Sequence, residues 1–122
     1  MLWASFSLRD FFKSFIDFNS LHKNQLIEII DFAKKIKKNP KKYDSLLKNK
    51  SLGLLFEKQS TRTRLSFSIG MMKLGGNVIE LNENQIGFGK RESMKDILKT
   101  MSQYLDVLMI RNDNHDQLKN LD

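Results

Sequence analysis

The chain of 122 residues carries 21 basic and 14 acidic side chains, no cysteine and one proline, which gives a formal net charge of +7. This length fits one α/β or helical domain, and a composition of 40% hydrophobic and 29% charged residues excludes a disordered or fibrous chain. The absence of cysteine excludes a disulfide framework, a thiolate metal site and a cysteine nucleophile. It also fits a reducing compartment, and we expect a cytoplasmic protein.

The positive charge is concentrated in the first part of the chain. Residues 1–50 contain 11 basic and 5 acidic side chains, whereas residues 51–122 contain 10 and 9. The excess comes from a lysine cluster, whose members are Lys34, Lys35, Lys37, Lys38, Lys41, Lys42, Lys48 and Lys50. Tyr43 is the only aromatic residue among these lysines, and no arginine accompanies them. A solvated, lysine-rich helix end is therefore favoured over a nucleic-acid site, and we expect no nucleic-acid partner.

The first residues are apolar, but no apolar run approaches the roughly 20 residues that a membrane-spanning helix requires, so we expect no membrane partner. Four apolar side chains have the spacing of a short amphipathic helix: Leu8, Phe11, Phe12 and Phe15. Docking on the body of the protein is favoured for this helix over contact with a membrane surface or no structural role. We treat residues 1–14 as an N-terminal extension.

A helix follows this extension, with one apolar face formed by Leu26, Ile29, Ile30 and Ala33. Asn19 and Ser20 are its cap candidates, and it should end near residues 38–40, since the residue before a proline resists the helical conformation. Five methionines within the apolar elements are predicted to fill the core: Met71, Met72, Met94, Met101 and Met109. His22 and His115 have no neighbouring ligand at metal-site spacing, which favours surface positions.

Three short apolar runs are typical of buried strands: Ser51–Phe56, Asn77–Leu81 and Val107–Ile110. A helical stretch, closed by Gly75 and Gly76, lies between the first two. Ser93 and Asp96 have the spacing of a capping box and open a helix between the last two. This order implies right-handed crossovers and an α/β fold, a parallel sheet with helices on both faces. Residues 116–122 are predicted to begin a further helix.

The segment Ser60-Thr-Arg-Thr-Arg64 lies where the first strand ends and a helix begins. Ligands of α/β sheets bind at this position, and a helix N-terminus favours an anion through its free N–H groups and partial positive charge. Ser60, Thr61 and Thr63 add hydroxyl groups, and Arg62 adds a guanidinium that can grip two phosphate oxygens. The pattern predicts a phosphate site rather than an ordinary helix cap with surface arginines.

Arg111 directly follows the third strand, so its side chain should emerge at the same carboxyl edge of the sheet as the Ser60 turn. Two converging arginines suit a small dianion with a carbonyl group to polarise. A solvated arginine at a strand end is the alternative for Arg111 taken alone. The glycine-rich phosphate loops of nucleotide triphosphatases and dinucleotide enzymes are absent from the sequence.

Phe56–Phe67, which reads Phe-Glu-Lys-Gln-Ser-Thr-Arg-Thr-Arg-Leu-Ser-Phe, closely resembles the carbamoyl phosphate signature of the aspartate and ornithine carbamoyltransferases. Further similar segments are Gly75–Leu81, Gln85–Gly87, Glu92–Asp96 and Tyr104–Arg111. The resemblance covers about residues 15–122, which we expect to form a carbamoyl phosphate-binding domain. Phe-Glu-Lys before the motif and Gln-Ile-Gly in the following loop resemble the ornithine enzymes more than the aspartate enzymes.

The resemblance implies transfer of the carbamoyl group from carbamoyl phosphate to the side-chain amine of ornithine. The products are citrulline and phosphate. The reaction is a step of arginine biosynthesis, and it needs no metal or other cofactor. The residues that it assigns to the phosphate are Ser60, Thr61, Arg62 and Thr63. It assigns Arg111 to the phosphate and the carbonyl oxygen, so that Arg62 and Arg111 are the implied catalytic residues.

The resemblance also implies a homotrimer in which Gln85 reaches the site of the neighbouring subunit. The loop that holds Gln85 is about two residues longer than the family pattern before Glu92, so Lys90 or Arg91 are alternatives for this role.

We expect the chain to be the incomplete N-terminal domain of a two-domain transferase. The family continues with a His-Pro-Cys-Gln segment and with a second domain that binds ornithine, and the sequence contains neither. Weak or no turnover is therefore expected from this chain alone. Two alternatives are an aspartate carbamoyltransferase fragment and a non-catalytic module that binds anions or nucleic acid.

Overall fold

The computed structural model describes residues 19, 21–56, 60–82, 93–111 and 116. Within these residues the elements are α1 (Lys23–Lys38), a 3₁₀ helix (Pro40–Tyr43), β1 (Ser51–Phe56), α2 (Thr61–Lys73), β2 (Asn77–Asn82), α3 (Met94–Tyr104) and β3 (Val107–Arg111). None of the helices found in this part of the chain is long and apolar enough to cross a membrane. The predicted helix at Leu8–Phe15 lies outside the described residues, as does all of the predicted 116–122 helix except Asp116.

The strands form a parallel sheet in the order β2-β1-β3. Ser51 to Phe56 lie opposite Asn77 to Asn82 on one side of β1. Leu52 lies opposite Val107 on the other side, and the register runs to Phe56 opposite Arg111. Because crossovers are right-handed, adding β2 and β3 on opposite sides of β1 places α2 and α3 on opposite faces of the sheet. The predicted α/β fold is confirmed.

Strand β1 is the centre of both the sheet and the core. Leu54 and Leu55 are fully buried, with 0% of their surface exposed, and Leu52 is buried beside them. A central parallel strand is covered on both faces, which requires a continuous apolar run rather than an alternating one. Leu21 and Ile97 complete the buried apolar set among the described residues.

The caps of α1 and α3 differ in how well the sequence predicts them. The predicted cap of α1 at Asn19 or Ser20 is wrong, because the helix begins at Lys23 with His22 as its N-cap residue. The His22 N–H donates to the side-chain oxygen of Gln25 at 2.9 Å, so the third residue of the helix satisfies the backbone of its N-cap residue. For α3 the predicted N-cap is confirmed, since Ser93 Oγ accepts the Asp96 N–H at 3.2 Å, and the Asp96 carboxylate accepts the Ser93 hydroxyl at 2.6 Å.

Helix α2 contacts β2 through polar side chains. Arg64 and Ser68 both face Glu80 of β2. The apolar side chains of α2 at helical spacing are exposed: Leu65 by 51%, Ile69 by 44% and Met72 by 62%. The prediction that Met72 fills the core is therefore wrong. The methionines that are half-buried are Met71, Met101 and Met109, and the side chain of Met94 lies outside the described residues.

The turn between α2 and β2 depends on Gly75. Its φ of +83° is in the left-handed region, and a Cβ atom there would lie 2.5 Å from the carbonyl oxygen of Asp44. Only glycine combines this backbone conformation with so close an approach. The neighbouring Leu74 carbonyl accepts the Leu47 N–H at 2.8 Å, which ties the turn to the segment before β1.

The lysine cluster is exposed along its whole length, as expected for a solvated helix end. Lys42 Nζ lies 5.8 Å from the centroid of the Tyr43 ring, within the range of a cation–π contact. Lys50 differs from its neighbours, because its ammonium lies 3.4 Å from Asp106 Oδ1 at the amino end of the sheet.

Candidate functional site

The candidate site lies at the carboxyl edge of the sheet, between β1 and β3. Arg111, the last residue of β3, donates through Nη1 to Ser60 Oγ and to Thr63 Oγ1, the second at 3.3 Å. Ser60 Oγ in turn donates to Thr63 Oγ1 at 3.0 Å. Two hydroxyl groups from the start of α2 and one guanidinium from β3 therefore meet at one point. This is the convergence that the sequence predicts for Arg111.

The fold explains why these residues meet. Phe56 and Arg111 are register partners at the ends of adjacent parallel strands, so the residues that follow them lie at the same edge. The chain leaves β1 towards β2, whereas β3 lies on the other side of β1. Such a reversal of strand order opens a crevice at the carboxyl ends of the strands, where α/β proteins bind their ligands.

The start of α2 adds a second source of positive potential. Ser60 is the N-cap residue, and its carbonyl oxygen accepts the Arg64 N–H at 2.9 Å. The N–H groups of the first turn have no partner within the helix and carry its partial positive charge. Thr61 and Arg62 lie in this turn and are exposed, and neither side chain makes a hydrogen bond or ion pair to another described residue. Within the described part of the chain, both side chains are therefore available to a ligand.

Arg64 is the one arginine of the motif that faces elsewhere. Its Nη1 lies 3.7 Å from Glu80 Oε2 of β2, and Ser68 Oγ donates to Glu80 Oε1 at 3.3 Å. The carboxylate of Glu80 balances the charge of Arg64. The cationic side chains left at the described part of the edge are those of Arg62 and Arg111, an arrangement suited to a small dianion.

Replacing Arg64 with alanine should change the free energy of unfolding by at most about 1 kcal/mol, because the Arg64–Glu80 pair is half-exposed. Inorganic phosphate affinity should stay within twofold of that of the parent chain. Urea denaturation and calorimetric titration with phosphate measure the two quantities. A tenfold loss of phosphate affinity would instead place Arg64 in the anion site.

Two acidic residues have partners that the sequence pattern does not predict: Glu80, which pairs with Arg64 of α2, and Asp106, which binds Ser51 at the start of β1. Glu80 is an exposed residue of β2, in which Val78 and Leu81 are half-buried. A charged residue within an apolar strand is the local sequence feature that marks it as solvent-facing. The predicted roles of Gln85, Lys90 and Arg91 fall outside the described residues.

Comparison with known proteins agrees with this geometry. Residues 13–122 match the family described as aspartate/ornithine carbamoyltransferase, carbamoyl-P binding domain. The chain is 40% identical over 106 residues to an ornithine carbamoyltransferase of Methanocaldococcus jannaschii, covering 87% of this chain and 35% of that one. It is 41% identical over 109 residues to an ornithine carbamoyltransferase of Bacillus thuringiensis, covering 89% and 34%.

Solved structures of ornithine carbamoyltransferases and of aspartate transcarbamoylases both resemble the chain. The ornithine carbamoyltransferase of Pyrococcus furiosus has a TM-score of 0.82 at 30% identity, covering 88% of this chain and 35% of that one. The catalytic subunit of M. jannaschii aspartate transcarbamoylase has a TM-score of 0.74 at 35% identity, covering 84% and 35%. The chain thus spans about a third of the length of these relatives. It belongs to the aspartate/ornithine carbamoyltransferase family and carries the carbamoyl phosphate-binding domain of that family.

Proposed function

We propose that the chain supplies the carbamoyl phosphate half of the active site of an ornithine carbamoyltransferase. The observation that carries the proposal is the hydrogen bonding of Arg111 to Ser60 and Thr63, which joins the end of β3 to the N-terminus of α2. In this proposal, residues 15–122 form the carbamoyl phosphate-binding domain and residues 1–14 an extension to it. The complete enzyme is a cytoplasmic homotrimer in which Gln85 reaches the neighbouring site.

In the proposed reaction the amine of ornithine attacks the carbonyl carbon of carbamoyl phosphate. A C–N bond forms, the C–O bond to phosphate breaks, and the amine loses a proton, giving citrulline and inorganic phosphate. Ser60, Thr61, Arg62 and Thr63 hold the phosphate, and Arg111 spans the phosphate and the carbonyl oxygen. These fixed donors stabilise the negative charge that develops on the carbonyl oxygen and on the leaving phosphate. No covalent intermediate and no metal are required.

Binding of carbamoyl phosphate by the chain itself is the first test. Calorimetric titration should give a dissociation constant that Arg62→Ala raises by at least tenfold, because a charge-assisted, two-pronged contact to phosphate is lost. Arg64→Ala is the matched control. It removes the same positive charge, two residues after Arg62, and the Arg64 side chain faces Glu80 and not the candidate site. Equal affinities of the Arg62 and Arg64 variants would contradict the proposal. The chain alone should form citrulline no faster than the uncatalysed reaction.

The choice between ornithine and aspartate depends on the second substrate. Ornithine is favoured by the names of the relatives that are 40–41% identical, and by Phe-Glu-Lys and Gln-Ile-Gly in the sequence. Aspartate is supported by the aspartate transcarbamoylase structure at 35% identity. Assays of the gene's complete translation product with each amine separate the two. Carbamoylation of aspartate alone would exclude ornithine carbamoyltransferase.

A further inference from the structure

A polar cluster at the amino edge of the sheet joins the starts of β1 and β3, opposite the candidate site. We call Lys50, Ser51 and Asp106 the clasp. Asp106 Oδ2 accepts the Ser51 N–H at 2.9 Å and the Ser51 hydroxyl at 3.1 Å. The Asp106 N–H donates to the Ser51 carbonyl oxygen at 3.1 Å, and Lys50 Nζ lies 3.4 Å from Asp106 Oδ1. Side chain and backbone of Asp106 are thus both bound to β1.

The clasp is charged at neutral pH. The hydrogen bond from the Ser51 backbone N–H, followed by those from the Ser51 hydroxyl and Lys50, holds the pKa of Asp106 below its usual value of 3.8, against the opposing effect of burial. Because this pKa is lowered in the folded state, the clasp contributes its full stability above the ordinary aspartate pKa. That contribution is lost as the pH falls from the ordinary aspartate pKa through the lower pKa of the folded state.

The apolar pattern does not define the register between β1 and β3. Register is normally set by alternation, because a slip of one residue moves the apolar side chains from the core into solvent. Here the residues of β1 from Leu52 to Leu55 are all buried, and Leu108 to Ile110 of β3 are all half-buried. A slip by one residue would still leave apolar side chains on both faces of both strands. It would also move Leu108 away from Gly53, where the missing Cβ makes room for the side chains of Leu105 and Leu108, so the packing at Gly53 favours the observed register together with the clasp.

The same slip would displace Arg111. Side chains alternate between the two faces of a strand, so moving β3 by one residue brings Ile110 opposite Phe56 and points Arg111 to the other face. The guanidinium would then lose Ser60 and Thr63. The clasp pairs residues 51 and 106, the position next to the Leu52–Val107 pair, and so excludes this register.

We propose that Asp106 is a positioning residue, which fixes the register of β3 against β1 through Ser51 and thereby sets Arg111 against the hydroxyl groups of Ser60 and Thr63. The inference rests on the proposed function only in treating that edge as a phosphate site. A polar contact that selects one register among apolar alternatives is a known use of such groups in proteins.

The test compares Asp106→Ala with Ile97→Ala, which removes a buried side chain of α3 that is not part of the clasp. Both variants are titrated with inorganic phosphate under conditions in which circular dichroism shows them folded. Asp106→Ala should weaken phosphate binding at least tenfold, whereas Ile97→Ala should stay within twofold. Asp106→Asn, which keeps an oxygen for the Ser51 N–H, should fall between them and serves if the alanine variant does not fold.

A phosphate-independent readout separates this inference from the proposed function. Nuclear Overhauser contacts between Arg111 and Thr63, and between the partners Leu54 and Met109, report the register directly. They should disappear in Asp106→Ala and persist in Ile97→Ala. Their persistence in a folded Asp106→Ala chain would overturn the positioning role. Absence of phosphate binding by the parent chain, with these contacts present, would instead contradict the proposed function.

Discussion

Replacing Arg111 with alanine is expected to weaken inorganic phosphate binding by about 10- to 100-fold, because a hydrogen bond to a charged group contributes about 1.5–3 kcal/mol. Arg111 is the only described side chain of β3 that reaches the N-terminus of α2, so no neighbour from that strand replaces it. Calorimetric titration measures the loss. Since Arg111 is exposed and its contacts are the hydrogen bonds to Ser60 and Thr63, the free energy of unfolding should fall by no more than about 1.5 kcal/mol.

Arg111→Lys tests whether geometry or charge matters at this position. Lysine keeps the positive charge but presents one ammonium in place of a planar fork, so it should recover only part of the lost affinity. Arg64→Ala controls for the general loss of positive charge near α2. If Arg111→Ala bound phosphate within twofold of the affinity of the parent chain, Arg111 would contact Ser60 and Thr63 without binding the phosphate.

The sequence predicts best those features that local chemistry determines. The run Ser51–Phe56 has no polar alternation, and it forms a buried strand as predicted. Ser93 lies three residues before Asp96, and it caps α3. The convergence of Arg111 with Ser60 also follows from the sequence, because carboxyl ends of parallel strands share an edge whatever the order of the strands.

Features that depend on long-range pairing are beyond such reasoning. The strand order β2-β1-β3 is not encoded in any single segment, and the clasp joins Ser51 to Asp106 across 55 positions. Met72 has helical spacing with Leu65, yet both side chains are exposed, whereas the polar Arg64 and Ser68 contact Glu80 of β2. Periodicity identifies a helix face, but it does not say what lies opposite that face.

Among the described residues, shortening a side chain in the core around β1 is expected to lower the free energy of unfolding most. Leu54 is fully buried at the centre of the sheet, between Glu80 of β2 and Met109 of β3 in the register. Leu54→Ala should lower the free energy of unfolding by about 3–5 kcal/mol, the sum of lost transfer energy and an unfilled cavity. Ile79→Ala, at a side chain of β2 that is 48% exposed, should cost clearly less. Urea denaturation measures both.

Phosphate provides a second measurement on the same variants. A ligand that binds only the folded state raises its stability by an amount set by ligand concentration and affinity alone. Because Leu54 lies away from the carboxyl edge, saturating phosphate should stabilise Leu54→Ala and the parent chain by the same increment. In Arg111→Ala the increment should fall by about 1.4–2.7 kcal/mol, the equivalent of a 10- to 100-fold loss of affinity, although that variant keeps its core. If phosphate instead failed to stabilise Leu54→Ala, the core, and not the two arginines, would determine the anion site.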